Sequence, residues 1–296
     1  MSPPHFRRWL AVWPPPVPSP PLVMGILNVT PDSFSDGGRF DRVEAAVAQA
    51  VAMADAGADL IDVGGESTRP GSQPVPAAEQ VARVVPVLRA LADLSRQGRL
   101  AVTVSIDTTR ADVAAAALEA GADVVNDISA GRDDPAMLPL VGRRGCPVVL
   151  MHMRGTPATM QVDPRYDDVS REVGEFLRER VAAARDAGVA EADVLVDPGI
   201  GFGKTAAHNL ELLRRLNELT GPQGLGRPVV VGTSRKGFIG RVTGETDPAN
   251  RPFGTAATVA WAATHGAAVV RVHDVGPMSQ VVRMIGAIQS GRAGPP

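Results

Sequence analysis

The chain has a single cysteine, Cys146, among 296 residues. No internal disulfide can form, and a reducing, cytoplasmic home is the expectation. Cys146 opens the apolar run CPVVLMHM, which marks it as a packing residue rather than a nucleophile. The sequence also lacks any run of the ~18–20 apolar residues that a membrane-spanning helix needs. Charge of one sign is missing too. Thirty Lys and Arg against 32 Asp and Glu leave a net charge of −2, so nothing in the balance demands nucleic acid or an anionic membrane as a partner. No G-x-G-x-x-G follows the first apolar run, which removes the usual dinucleotide fingerprint. No long linker, charge block or low-complexity segment interrupts the chain, so a single domain is expected over 21–290.

The opening residues, MSPPHFRRWLAVWPPPVPSPP, set Arg7 and Arg8 before a short apolar patch, a faint echo of a signal peptide. Pro14 to Pro16 interrupt that patch before it becomes an apolar h-region. Residues 1–20 are therefore expected to form an extended, proline-rich tail that adds little to the core.

After that start, short β-branched runs alternate with amphipathic stretches. Eight strands are expected, over 22–29, 59–64, 101–107, 122–127, 146–153, 193–197, 228–233 and 267–274. Their nearly continuous apolar character suits parallel strands covered on both faces. Between them lie helical patterns such as VEAAVAQAVAMADAG and VSREVGEFLRERVAAARDAG. Several of these end on glycine just before a strand, the common helix stop. Eight βα units in a chain of this size predict a (β/α)8 TIM barrel, in preference to a doubly wound open sheet.

In such a barrel the chemistry gathers at the carboxyl ends of the strands. Here those ends carry Asn28, Asp62, Asp107, Asn126, His152, Asp197, then Ser234, Arg235 and Lys236, and lastly Arg271 and His273. One or two such residues would read as helix caps. A polar residue on nearly every apolar strand reads as a site. Asp107 and Asp197 with Asn126 supply acceptors and an amide suited to a heterocycle bearing several N–H groups. Arg271 and His273 alternate along one strand and so share a side; with Arg69 they suit an anion such as phosphate. GTSRKGFIG offers Lys236 and backbone N–H groups as a second anion site. DPGIGFGKT invites a nucleotide-loop reading, but the proline after Asp197 and the lack of a partner aspartate argue against it. A glycine-rich loop that lets a flat ring approach the backbone accounts for it as well. The loops TPDSFSDGGRF and GGESTRPGSQPV are long for βα connections, which usually run about 2–6 residues. They suit lids over a barrel mouth, with Phe34 as an apolar residue on the first.

The motifs NVTPDSFSDGG, IDVGGESTRPG, VSIDTTR, VVND, VVLMHMRGTPATMQ, DPGIGFGK, GTSRKGFIG and VRVHDV occur in the order found in dihydropteroate synthases. The chain resembles that family from about Met24 to Ala287. The resemblance implies a Mg2+-dependent transferase of folate biosynthesis, typically a homodimer and the target of sulfonamides. It joins 6-hydroxymethyl-7,8-dihydropterin pyrophosphate to p-aminobenzoate, releasing pyrophosphate, by a dissociative, SN1-like displacement that needs no protein nucleophile. It further implies that Asp107, Asn126, Asp197 and Lys236 read the pterin, in a pocket lined by Met151, Gly201 and Phe202. Arg271 and His273 would hold the pyrophosphate, with Asn28 on Mg2+. Thr68, Arg69, Pro70 and Ser234 would form the aminobenzoate side, covered by Phe34. Two rivals share much of this pattern. A catalytically silent pterin-binding paralogue would keep the ring-reading residues, and a pterin-dependent methyltransferase barrel would have no need of STRPG and SRK.

Overall fold

The computed structural model describes residues 1–15, 19–30, 39–67, 71–221 and 223–292. The expected strands all form: β1 (Leu22–Asn28), β2 (Leu60–Gly64), β3 (Thr103–Asp107), β4 (Val124–Asp127), β5 (Val148–Met151), β6 (Val194–Asp197), β7 (Val230–Val231) and β8 (Val269–Val272). Each is a residue or two shorter than expected at one end or both. They are parallel and lie in the order β6-β5-β4-β3-β2-β1-β8-β7. A parallel bridge between Val196 and Val229 joins the two outer strands and closes the barrel.

The helices are α1 (Pro3–Ala11), α2 (Arg39–Asp55), α3 (Ala77–Arg96), α4 (Ala111–Glu119), α5 (Met137–Arg144), α6 (Val169–Asp186), α7 (Ala206–Arg214), α8 (Asn217–Thr220), α9 (Gly237–Thr243), α10 (Pro252–Thr264) and α11 (Val275–Ser290). Gly57 after α2 and Gly121 after α4 take φ of 102° and 108°, a backbone that an L side chain resists. No helix among the described residues is long and apolar enough to cross a membrane. Cys146 is buried and unpaired, and burial pushes its thiol up to about 11.

Side chains alternate along each strand, and the alternation sorts them into two cores. Val23, Ile61, Val125, Val148, Val196 and Val270 pack outward with the helices. Met24, Leu60, Val124, Val149, Leu195 and Val269 pack with one another inside the barrel. Two residues further along on that inner face come Ile26, Asp62, Asn126, Met151, Asp197 and Arg271. The barrel interior thus changes from apolar at the amino end to polar at the carboxyl end.

The proline-rich start is not an extended tail. Pro3–Ala11 is a helix with proline in its first turn, where the missing N–H has no intrahelical acceptor to lose. Phe6 and Leu10, one turn apart, are 1% and 2% exposed and belong to the interior core. Trp9 stacks on Phe6 with ring centroids 5.7 Å apart, and Arg7 reaches Asp193 at 2.8 Å. Helix α1 therefore plugs the amino end of the barrel. Proline suits an extended tail and a helix's first turn alike, and the i, i+4 pair of Phe6 and Leu10, both buried, decides for the helix.

Candidate active site

Arg271 is the hub of the polar layer. Its Nε donates to Asp62 Oδ2 at 2.6 Å and its Nη2 to Asp107 Oδ2 at 2.7 Å. Asn126 Nδ2 donates to the same Asp62 oxygen at 2.9 Å, and Ser105 Oγ to the other. The strand register makes this possible, because Asp62 lies beside Ser105 and Asp107 beside Asn126. Asp62 is fully buried, and both of its oxygens have donors. Asp107 is different: its Oδ1 is buried and has no hydrogen-bond partner among the described residues. Burial pushes the Asp107 carboxyl up to about 7, opposed by Arg271 and reinforced by Asp62, Asp127 and Glu66. Burial works against the Arg271 charge, yet Asp62 and Asp107 hold the guanidinium above its ordinary value. One guanidinium between two carboxylates leaves acceptor capacity at the barrel mouth, the condition for binding a ring rich in N–H donors.

The far wall comes from β6, its loop and the start of α9. Burial pushes Asp197 up, against Lys236, the Gly199 N–H, Arg271 and Lys204. Its Oδ1 accepts from Gly199 N at 2.7 Å. Lys236 donates to Ile200 O, and its ammonium lies 4.8 Å from the centroid of the Phe202 ring. Burial pushes Lys236 down to about 8, with Asp197 opposing. A Cβ at Gly201 would sit 3.0 Å from Lys236 Cδ, so glycine is what lets the lysine lie along the loop. Met151 joins Ile128, Met153 and Met160, with Phe202 packed against them. This apolar cluster borders the polar layer.

Ser234, buried at the end of the β7 loop, accepts from His273 N at 3.1 Å and lies 3.1 Å from His273 Nδ1. Between Ser234 and Lys236, Arg235 has φ of 59°, a strained setting for a non-glycine residue. Its guanidinium bonds Asp274 at 3.0 and 2.5 Å, its N–H donates to Thr255 Oγ1, and its carbonyl accepts from Arg251. Those contacts hold the turn that presents both neighbours. Asn28 ends β1 beside Gly64 of β2, on the same inner face as Ile26.

The structure thus gathers Asp107, Asn126, Met151, Asp197, Gly201, Phe202, Ser234, Lys236, Arg271 and His273 at one end of the barrel, with Asn28 on its rim. Phe34, Thr68, Arg69 and Pro70 lie outside the described residues. Sequence reasoning placed Asp62 among the polar strand ends but gave it no partner. Its spacing of two from Leu60, on the inner face, was the available signal. The nucleotide-loop reading of DPGIGFGKT fails on the residues themselves, since that pattern needs glycine at position 198 and the chain has Pro198.

The family model described as pterin binding enzyme matches residues 24–273. The dihydropteroate synthase of Synechocystis sp. is 48% identical over 266 residues, covering 90% of this chain and 89% of the relative. The chain belongs to the dihydropteroate synthase family. Among solved structures, Xanthomonas albilineans dihydropteroate synthase with 4-aminobenzoic acid aligns with a TM-score of 0.84 at 46% identity, covering 92% of this chain and 94% of that one. The same enzyme in complex with 7,8-dihydropteroate aligns with a TM-score of 0.80 at 43% identity, covering 93% and 95%. The polar layer around Arg271 lies at the carboxyl end of this barrel, and the apolar end sealed by α1 lies opposite.

Proposed function

We propose that the chain is a dihydropteroate synthase, joining 6-hydroxymethyl-7,8-dihydropterin pyrophosphate to p-aminobenzoate with release of pyrophosphate. The observation that carries this reading is the buried oxygen of Asp107 that has no hydrogen-bond partner among the described residues, beside Asn126 and across the barrel from Asp197. These are acceptors and an amide set to read the N–H edge of a pterin. Lys236 and Phe202 close one side of that pocket. Arg271 and His273 stand where the pyrophosphate would leave, and Ser234 faces the aminobenzoate. Thr68, Arg69, Pro70 and Phe34 complete the aminobenzoate side in this reading.

The chemistry follows from charge. The C–O bond to pyrophosphate breaks first, and both electrons leave with the phosphate. The pterin-methyl cation that remains is spread over the dihydropterin ring, where the carboxylates of Asp107 and Asp197 favour it. The aromatic amine then forms the new C–N bond and gives up a proton to water. No protein nucleophile takes part.

Among the described residues no group of three His, Cys, Asp or Glu is placed to hold a metal. A Mg2+ ion that keeps its waters and rides mainly on substrate phosphates does not need such a cage, and the hard carboxamide oxygen of Asn28 fits it. Bound there, Mg2+ would neutralise charge on the leaving pyrophosphate. Asn28→Ala should raise the Mg2+ concentration needed for half-maximal turnover while leaving the melting temperature nearly unchanged; equal loss of fold and activity would make Asn28 structural.

The reading extends to a cytoplasmic homodimer. Support for the dimer comes from apolar side chains on the last helices. Phe253 is 87% exposed, Met284 60% and Val242 62%. Sedimentation at micromolar concentration tests it, with a monomer as the contrary result. Formation of dihydropteroate from the two substrates, followed by chromatography, tests the activity itself.

A further inference from the structure

We infer that Lys204 is a positioning residue, whose buried ammonium fixes the loop after β6 so that Asp197, Phe202 and Lys236 meet the pterin. This rests on the proposed function. Lys204 is 2% exposed. Its Nζ lies 2.8 Å from His152 Nδ1, 3.0 Å from Gly199 O and 3.0 Å from Phe202 O. An ammonium has three donors, and here each has an acceptor. No carboxylate makes an ion pair with it among the described residues.

The loop it holds is unusual in its accounting. Every carbonyl from Gly199 to Gly203 has a named donor. Gly199 O and Phe202 O take Lys204, Ile200 O takes Lys236, Gly201 O takes Gln161 at 2.9 Å, and Gly203 O takes Tyr166 at 2.8 Å. Gly199, Gly201 and Gly203 all have positive φ, so the backbone reverses at alternate residues. That is the path by which Gly199 O and Phe202 O both turn onto one ammonium. A Cβ at Gly199 would meet His152 O at 1.8 Å, and one at Gly203 would meet Arg154 O at 2.4 Å. The loop therefore lies directly on the β5 end, with Lys204 beneath it. Lys204 reaches the pocket only through backbone, and none of its hydrogen bonds goes to the side chain of Asp107, Asn126, Asp197 or Lys236. It acts through Gly199, whose N–H holds Asp197, and through Phe202, which borders Lys236.

The charge acts on the same group. Asp197 is faced by Lys236 just before α9, Arg271 from β8, the Gly199 N–H and Lys204, all of which favour its carboxylate against burial. Lys204 itself is pushed down by burial, with Asp197 opposing and Lys236 and Arg154 adding to the fall. His152 is held neutral by burial, then by Lys204, Arg132 and Arg154, down to about 2. A neutral ring with Nδ1 free to accept is what the lysine requires.

The test compares Lys204→Met with the unaltered chain, measuring KM for each substrate across pH 5–9. Loss of the anchor should lower kcat/KM for the pterin pyrophosphate about 10²-fold, as a small misplacement does. KM for p-aminobenzoate should stay within about twofold. The acid limb of pterin binding should move to higher pH, because Asp197 loses one of its cations. A pterin KM and acid limb unchanged in Lys204→Met would overturn the inference. So would equal losses for both substrates in step with the melting temperature. Should that variant fail to fold, the imidazole nitrogens of His152 in the unaltered chain decide. An Nδ1 that stays unprotonated down to pH 5 supports the anchor, and a ring titrating near pH 6.5 overturns it. Failure of the unaltered chain to bind pterin at all would instead remove the proposed function.

Discussion

Replacing Asp62 with asparagine keeps the side chain's volume and removes the charge that Arg271 and Asn126 share. The amide oxygen can still accept from Arg271 Nε, and the amide nitrogen can face Ser105 Oγ, which is able to turn and accept. What is lost is the charge-assisted part of a bond now 2.6 Å long, at a carboxylate with no exposed surface. Hydrogen bonds to charged groups contribute about 1.5–3 kcal/mol, and breaking a buried ion pair costs about 3–5 kcal/mol. Arg271 keeps Asp107, so a loss of about 3 kcal/mol is expected for Asp62→Asn, at the low end of the cost of a broken pair. For a chain near this size that is a fall of about 6–12 °C in melting temperature. The functional effect should be larger. Released from Asp62, the guanidinium should shift toward Asp107 and occupy the acceptor capacity that the proposed reading gives to the pterin. A drop of about 10²–10³ in kcat/KM for the pterin substrate should follow. Circular-dichroism melting and steady-state kinetics read the two effects. A variant that melts within about 2 °C of the parent with an unchanged pterin KM would refute the reasoning, because Arg271 would then not depend on Asp62.

Two further outcomes separate the ends of the barrel. Phe6→Ala empties a site that is 1% exposed and should cost about 3 kcal/mol. Its kcat and both KM values should hold within about twofold, since α1 sits opposite the polar layer; a specific loss of turnover would contradict that division. The third concerns pH. The Asp107 carboxyl stands at about 7 when folded, above its unfolded value near ~3.9, so the folded state binds the extra proton between them. Its contribution to stability is present below about pH 4 and is lost as pH rises through about 7. In the proposed reading pterin binding uses the Asp107 carboxylate, so the pterin KM should fall through the same upper range. Asp107→Asn should abolish both trends, and a pterin KM that stays flat from pH 5 to 8 in the parent would count against the assignment.

The barrel was legible because its strands are apolar runs and its helices stop on glycine. Neither signal depends on distant contacts. The polar set at the strand ends was legible for the same reason, since a carboxylate in DLIDVG or VSID has no bland place to go. Partnership was not legible. Nothing in the chain states that Arg271 bridges Asp62 and Asp107, 209 and 164 residues away, because that depends on closure of the barrel and on strand stagger. Lys204 was read as the tail of a glycine-rich motif, and only the folded loop turns two carbonyls and a histidine nitrogen onto it. The start departs from its expected form for a local reason. Proline at a helix's first turn and proline in an extended tail look alike until Phe6 and Leu10 are seen to share a face.

In the proposed reaction the site releases pyrophosphate from the pterin substrate and passes the pterin-methyl group to an aromatic amine. Pyrophosphate and dihydropteroate should be quantified together in one reaction containing p-aminobenzoate and Mg2+. Equal amounts of the two products, and loss of both in Arg271→Ala, are expected. Tight binding of the pterin substrate with neither product formed would contradict it, and would leave a barrel that reads the ring without doing the chemistry.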